Sequence, residues 1–130
     1  MITFVSCWYN FKAKFNNEIY YEWINNMLIN VNNYNLVIYT DDDGYLLLHK
    51  YEKSNIKIIM KDHITFYNYR YNNDWINNHL NNYLLKNKVD WKVNMLWSEK
   101  IHFVKDAYEE KYFDTEFYGW GDIGYFRNLH

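Results

Sequence analysis

Leu36-Val37-Ile38-Tyr39-Thr40-Asp41-Asp42-Asp43-Gly44 is a short apolar strand that ends abruptly in three carboxylates and a glycine. Its neighbours on both sides repeat the theme. Residues 2–7 form a second short apolar run, followed by a polar-aromatic loop over 8–14. From Phe15 the period changes. Phe15, Ile19, Trp23 and Met27 recur every four residues, with Tyr20, Ile24 and Leu28 beside them, which is one broad apolar helix face. Residues 56–60 make a third strand, with a short helix before it. Strand, helix, strand, short helix, strand predicts a parallel sheet with crossover helices. In such sheets ligands bind beyond the carboxyl ends of the strands. The loop after Cys7 and the Asp41–Asp43 turn are expected on that edge.

Further along, residues 74–85 predict a helix with Ile76, Leu80, Tyr83 and Leu84 inward and Asp74 as N-cap. Trp97, Ile101, Val104 and Tyr108 mark another helix by their four-three-four spacing. Residues 117–123 predict a last strand, broken by Gly119 and Gly121, with Gly124 just beyond. Four glycines, all at turns or near the end, and no proline give no sign of a linker, so one domain over 1–130 is expected.

Composition narrows the function classes. Hydrophobic residues make up 49% of the 130, enough for a real core. Aromatics reach 22%, which suits a dense core or a cleft that stacks on sugars and bases. Asn, Lys, Ile and Tyr are abundant and have AT-rich codons, so the Asn-Asn pairs carry little functional weight. A net charge of −2 without a basic run argues against nucleic acid. One cysteine, Cys7, allows no internal disulfide and fits a reducing cytoplasm. The start is too short for a signal-peptide core, and no apolar stretch reaches membrane-spanning length, so a cytoplasmic protein is expected. His49, His63, His79, His102 and His130 lack zinc-ligand spacing. Walker-type, Gly-x-Gly-x-x-Gly and Gly-x-Ser-x-Gly patterns are absent.

Three constellations remain. Asp41-Asp42-Asp43 repel one another and need solvent, hydrogen-bond donors or a cation. They fit either a plain turn or a group that accepts a base or ribose hydrogen bond. Asp122 follows Tyr118-Gly119-Trp120-Gly121 at a strand end, where glycines let a phosphate ligand approach the backbone. It fits either a turn or a ligand of Mg²⁺ or Mn²⁺. In Trp97-Ser98-Glu99-Lys100, Ser98 can cap a helix with Lys100 near its positive end, which suits phosphate; a solvated lysine is the plainer alternative.

Residues 36–41, Trp97-Ser98-Glu99-Lys100 with Phe103-Val104-Lys105, and Phe117-Tyr118-Gly119-Trp120-Gly121-Asp122-Ile123-Gly124-Tyr125-Phe126-Arg127 together resemble the HtrL/YibB family. That family is similar to glycosyltransferases of the GT-A fold. The resemblance runs in order from residues 8–15 to Arg127, and the pairing of Trp-x-Glu-Lys with Trp-x-Asp-x-Gly is its most specific part. It implies a Rossmann-like GT-A half that binds a UDP- or GDP-sugar with Mn²⁺ or Mg²⁺ and transfers the sugar to a glycan or protein acceptor. It implies Asp122 as the metal ligand, with Trp120 standing where the first aspartate of Asp-x-Asp is usual. It further implies Lys100 on the diphosphate, Asp41 and Asp42 at the base or ribose, and Cys7 and Trp8 lining the base. GT-A domains are generally much longer, and the acceptor site follows the metal motif, so incompleteness at the C-terminal end is expected. A non-catalytic remnant or interaction module of the same fold is the alternative, and association with a partner chain or with itself follows from an open sheet edge. An aromatic carbohydrate-binding module without a nucleotide is a third reading, which the strand-helix alternation disfavours.

Overall fold

The computed structural model describes residues 1–11, 17–84 and 86–122. Four strands form one sheet: β1 (Ile2–Trp8), β2 (Asn35–Thr40), β3 (Ile56–Met60) and β4 (Phe117–Trp120). Their order is β3-β2-β1-β4 and every pairing is parallel. The helices are α1 (Asn17–Leu28), α2 (Asp42–Leu48), α3 (Asn72–Leu80), α4 (Lys92–Ser98) and α5 (Lys100–Glu110), with short 3₁₀ segments at His49–Tyr51, His63–Thr65 and Tyr67–Tyr71. The parallel α/β architecture with flanking helices is therefore as expected. Among the described residues no helix is long and apolar enough to cross a membrane.

Side-chain alternation along β1 and β2 divides the core in two. Leu36, Ile38, Ile56 and Ile58 face Ile24, Met27 and Leu28 of α1 and Leu48 of α2. Val5, Cys7, Val37 and Tyr39 face the other way, onto Phe103 and Ala107 of α5, Met95 and Phe66. All six residues of β2 are buried, as a strand covered on both faces requires. The helix face predicted for α1 is the one that packs; Phe15 lies outside the described residues.

Two predicted helix faces are corrected. Trp97, Ile101 and Tyr108 are 55%, 72% and 55% exposed, while Phe103 and Ala107 point inward. The inward stripe is Glu99-Phe103-Ala107, where a small alanine lets the helix approach the sheet. In the second case, α3 stops at Leu80 and not at 85. Its C-cap is Asn81, so Leu80, Tyr83 and Leu84 stay exposed; His79 is buried, Trp75 packs against the core and Ile76 is half-buried. Tyr71, not Asp74, stands at the N-cap. The last strand is also shorter than expected, and Ile123 and Gly124 fall outside the described residues.

Candidate functional site

The sheet order creates a switch point. The chain runs outward from β1 to β2 to β3, then returns to place β4 on the opposite side of β1. At such a reversal the connections leave in opposite directions and open a crevice beyond the strand ends. β1 supplies Trp8, Tyr9 and Asn10 to this edge, β2 supplies Thr40 and Asp41, and β4 supplies Trp120 to Asp122.

On the β4 side, Lys100, Trp120 and Asp122 come together. Lys100 Nζ lies 3.0 Å from Asp122 Oδ1. The same oxygen accepts a 2.6 Å hydrogen bond from Trp120 Nε1. The ammonium also lies 5.4 Å from the centre of the Trp120 ring. Strand pairing explains the meeting: Trp120 is registered with Val5, and Gly121 N donates to Val5 O at 2.9 Å, which carries β4 one step further before Asp122 turns out. Trp120 stacks 6.2 Å from Phe103, whose ring also stacks 5.0 Å from Tyr39. Burial alone would raise the Asp122 carboxyl, but the Trp120 and Lys100 hydrogen bonds and the Lys100 charge outweigh it and hold the group below its ordinary value. Asp122 is thus ionised at neutral pH.

On the β2 side, Asp41 is the N-cap of α2. Its Oδ1 accepts from Gly44 N at 2.7 Å and its Oδ2 from Asn10 N at 2.9 Å. One carboxylate starts a helix and pins the loop after β1 to it. The turn reading therefore describes what Asp41 does within the fold. Asp42 and Asp43 are exposed, and Asn10 Nδ2 donates to Asp43 Oδ2 at 3.4 Å.

Cys7 and Trp8 sit lower. Trp8 is 7% exposed and belongs to the α1-side core, with Tyr21 edge-on at 5.8 Å. Its ring is part of that core and not an open stacking face. Cys7 is buried as expected; burial pushes its thiol well up, with Lys100 pulling down and Asp122 pushing up more weakly. A thiol that stays protonated is a poor nucleophile. We expect no labelling of native protein by a thiol reagent at about pH 8 and full labelling in denaturant. Rapid native labelling would show that this end of β1 opens.

The residue that sequence reasoning passed over is Glu99. It is 1% exposed, and its carboxylate accepts from Tyr67 N at 2.6 Å, Asn68 N at 3.0 Å and Asn68 Nδ2 at 2.9 Å. It caps the 3₁₀ segment Tyr67–Tyr71 from across the fold, since the local cap residue Phe66 makes no side-chain bond there. Ser98 ends α4 and makes no cap for α5, whereas Lys100 is the first residue of α5, near the expected position. The signal for Glu99 is its place four residues before Phe103, which is itself four before Ala107.

Asp122 Oδ1 already faces an ammonium and an indole N–H, and among the described residues no three His, Cys, Asp or Glu side chains gather in a way that could hold a metal. Asp41 belongs to another part of the edge, beyond β2 and not β4. In register terms Asp122 is level with Cys7 and Asp41 with Tyr9, so the two acids are separated by about two strand spacings, on the order of 10 Å. Asp41 and Asp122 therefore do not share a cation.

Comparison of the chain with protein-family models, curated proteins and solved structures finds no match in any of the three.

Proposed function

We propose that this chain is a donor-binding domain of the GT-A, HtrL/YibB-like kind, which binds a UDP- or GDP-sugar at the carboxyl edge of the sheet and passes the sugar to a glycan or protein acceptor. The observation that carries the reading is the convergence of Lys100, Trp120 and Asp122 at the β1/β4 switch point. When a glycosidic bond to a nucleoside diphosphate breaks, negative charge grows on the leaving phosphate. A fixed ammonium beside it stabilises that charge more in the transition state than in the ground state. Asp42, exposed next to the Asp41 cap, would accept hydrogen bonds from the base or ribose. A Cβ at Gly119 or Gly121 would have Phe4 side-chain atoms as its nearest neighbours, at 3.6 Å or more, so contact with Phe4 does not demand glycine at either position.

Thermal melting of the purified chain with UDP, GDP and their sugars, with and without Mn²⁺, tests this. A ligand that binds only the folded state raises stability by mass action, about 2.7 kcal/mol at 100 times its Kd. We expect one nucleotide class to raise the midpoint. Unchanged midpoints with all of them would sink the donor-site reading.

A second reading, an interaction module of the same fold, is favoured by one observation. Trp97, Ile101 and Tyr108 form an exposed apolar stripe on α4 and α5, and Phe117 on β4 is 66% exposed. Sedimentation that depends on protein concentration, together with no nucleotide effect, would favour it over the first.

A further inference from the structure

The geometry points to Lys100, positioned by Asp122 and Trp120, as the group that takes the diphosphate at this edge, in place of a divalent cation. The inference rests on the nucleotide reading above and concerns only what supplies the positive charge.

Three observations carry it. First, the Lys100 ammonium holds the space against Asp122 Oδ1, at 3.0 Å, and competes there with a bridging cation. Second, Trp120 presents a donor to the same oxygen, at 2.6 Å. An indole N–H can only donate, so this side chain can hold a carboxylate but cannot ligate a metal. Trp120 and Lys100 both donate to Asp122, which makes Asp122 the acceptor that orients the lysine. Third, an ammonium has three donors. Among the described residues one is used by Asp122, which leaves two for phosphate oxygens, and the Lys100 side chain is about one-third exposed, 35%, so a ligand can reach it. The Trp120 ring beside the ammonium excludes water from one side and strengthens its pull on an anion.

The arrangement has a consequence that separates it from a metal site. Asp122 is ionised, so the lysine and the aspartate nearly cancel, and the aspartate repels the phosphate it helps to place. In a metal site, loss of the Asp122 charge weakens binding. Here, Asp122→Asn keeps an amide oxygen for Lys100 and Trp120 and removes the repulsion. Asp122 is a positioning residue in this scheme, and the change strengthens nucleotide binding, by roughly fivefold for a repulsion worth about 1 kcal/mol at near-surface screening.

The test is calorimetric titration of the whole chain with UDP and with GDP, in EDTA and in excess Mn²⁺. The expected result is a Kd in EDTA within about threefold of that in Mn²⁺, weakened about tenfold or more by Lys100→Gln, kept within about threefold by Lys100→Arg, and tightened by Asp122→Asn. Circular dichroism and melting of each variant without ligand separate lost binding from lost fold. Binding that appears only with Mn²⁺ and vanishes in Asp122→Asn overturns the inference and leaves the nucleotide reading standing. Binding in EDTA that ignores Lys100→Gln also overturns it. No binding of either nucleotide under any condition sinks both.

Discussion

Glu99→Ala is expected to destabilise the fold by about 3 kcal/mol, a drop in melting midpoint of roughly 10 °C for a chain of this size. The carboxylate is buried and accepts three N–H bonds, two from the backbone of Tyr67 and Asn68 and one from the Asn68 amide. Bonds to an ionised acceptor are about twice as strong as neutral ones. Alanine leaves two part-buried backbone donors unpaired at the start of the Tyr67–Tyr71 segment, and a donor without a partner costs about 1–3 kcal/mol, toward the lower end where water reaches it. The loss spreads, because this segment follows Phe66, which is 4% exposed and packs edge-on against Phe103 at 5.3 Å and Tyr9 at 5.1 Å. Glu99→Gln should cost less, about half, since its amide oxygen keeps one acceptor while its NH₂ faces a donor. Chemical denaturation of the two variants beside the wild type measures both. A Glu99→Ala midpoint indistinguishable from wild type would mean that water replaces the carboxylate freely.

Gly44→Ala is expected to cost about 2–4 kcal/mol, although alanine is the better helix former by about 1 kcal/mol. An added Cβ would lie 1.8 Å from Thr40 Oγ1, 3.0 Å from Trp8 Cε3 and 3.1 Å from Asp41 Oδ1. None of the three moves easily. Thr40 is fully buried and its hydroxyl donates to Trp8 O at 2.6 Å. Trp8 is core, and Asp41 Oδ1 is the acceptor for Gly44 N itself. Rotating Thr40 away would break its bond and leave a buried carbonyl without that partner, so steric and hydrogen-bond terms add. The Thr40→Ala/Gly44→Ala double variant should be less damaged than the sum of the two single ones, because the first change removes the oxygen that the second strikes. Gly44→Ala at or above wild-type stability would show that helix propensity outweighs the contact.

These two positions show how differently the site and the fold could be read. Gly44 was legible as a turn residue, but its necessity is a matter of close approach: it sits in the first turn of α2 against Thr40, four residues back, and against Trp8 of the neighbouring strand. The role of Glu99 is not legible in the sequence, because a carboxylate on an inner stripe makes sense only with Tyr67 and Asn68 opposite it. The outward turn of Trp97-Ile101-Tyr108 has the same origin. The chain from Trp97 to Tyr108 carries two apolar stripes, and hydrophobicity favoured the larger residues; the sheet accepted the stripe with Ala107 because a helix must come close to pack.

The sequence by itself determined the strand-helix alternation, the parallel sheet that follows from it, the α1 face, the buried state of Cys7 and the short list of polar residues at strand ends. Those are local or periodic properties, written in neighbours along the chain. Only the tertiary structure decided that Lys100 and Asp122, 22 residues apart, form an ion pair over Trp120, while Asp41 spends its oxygens on Gly44 and Asn10. It did so through strand order. With β4 placed beside β1 and not beside β3, the end of β4 meets the start of α5, and the β2 end stays about two strands away. A pairing of that kind depends on which strand edges meet in space, and short-range pattern carries no record of it.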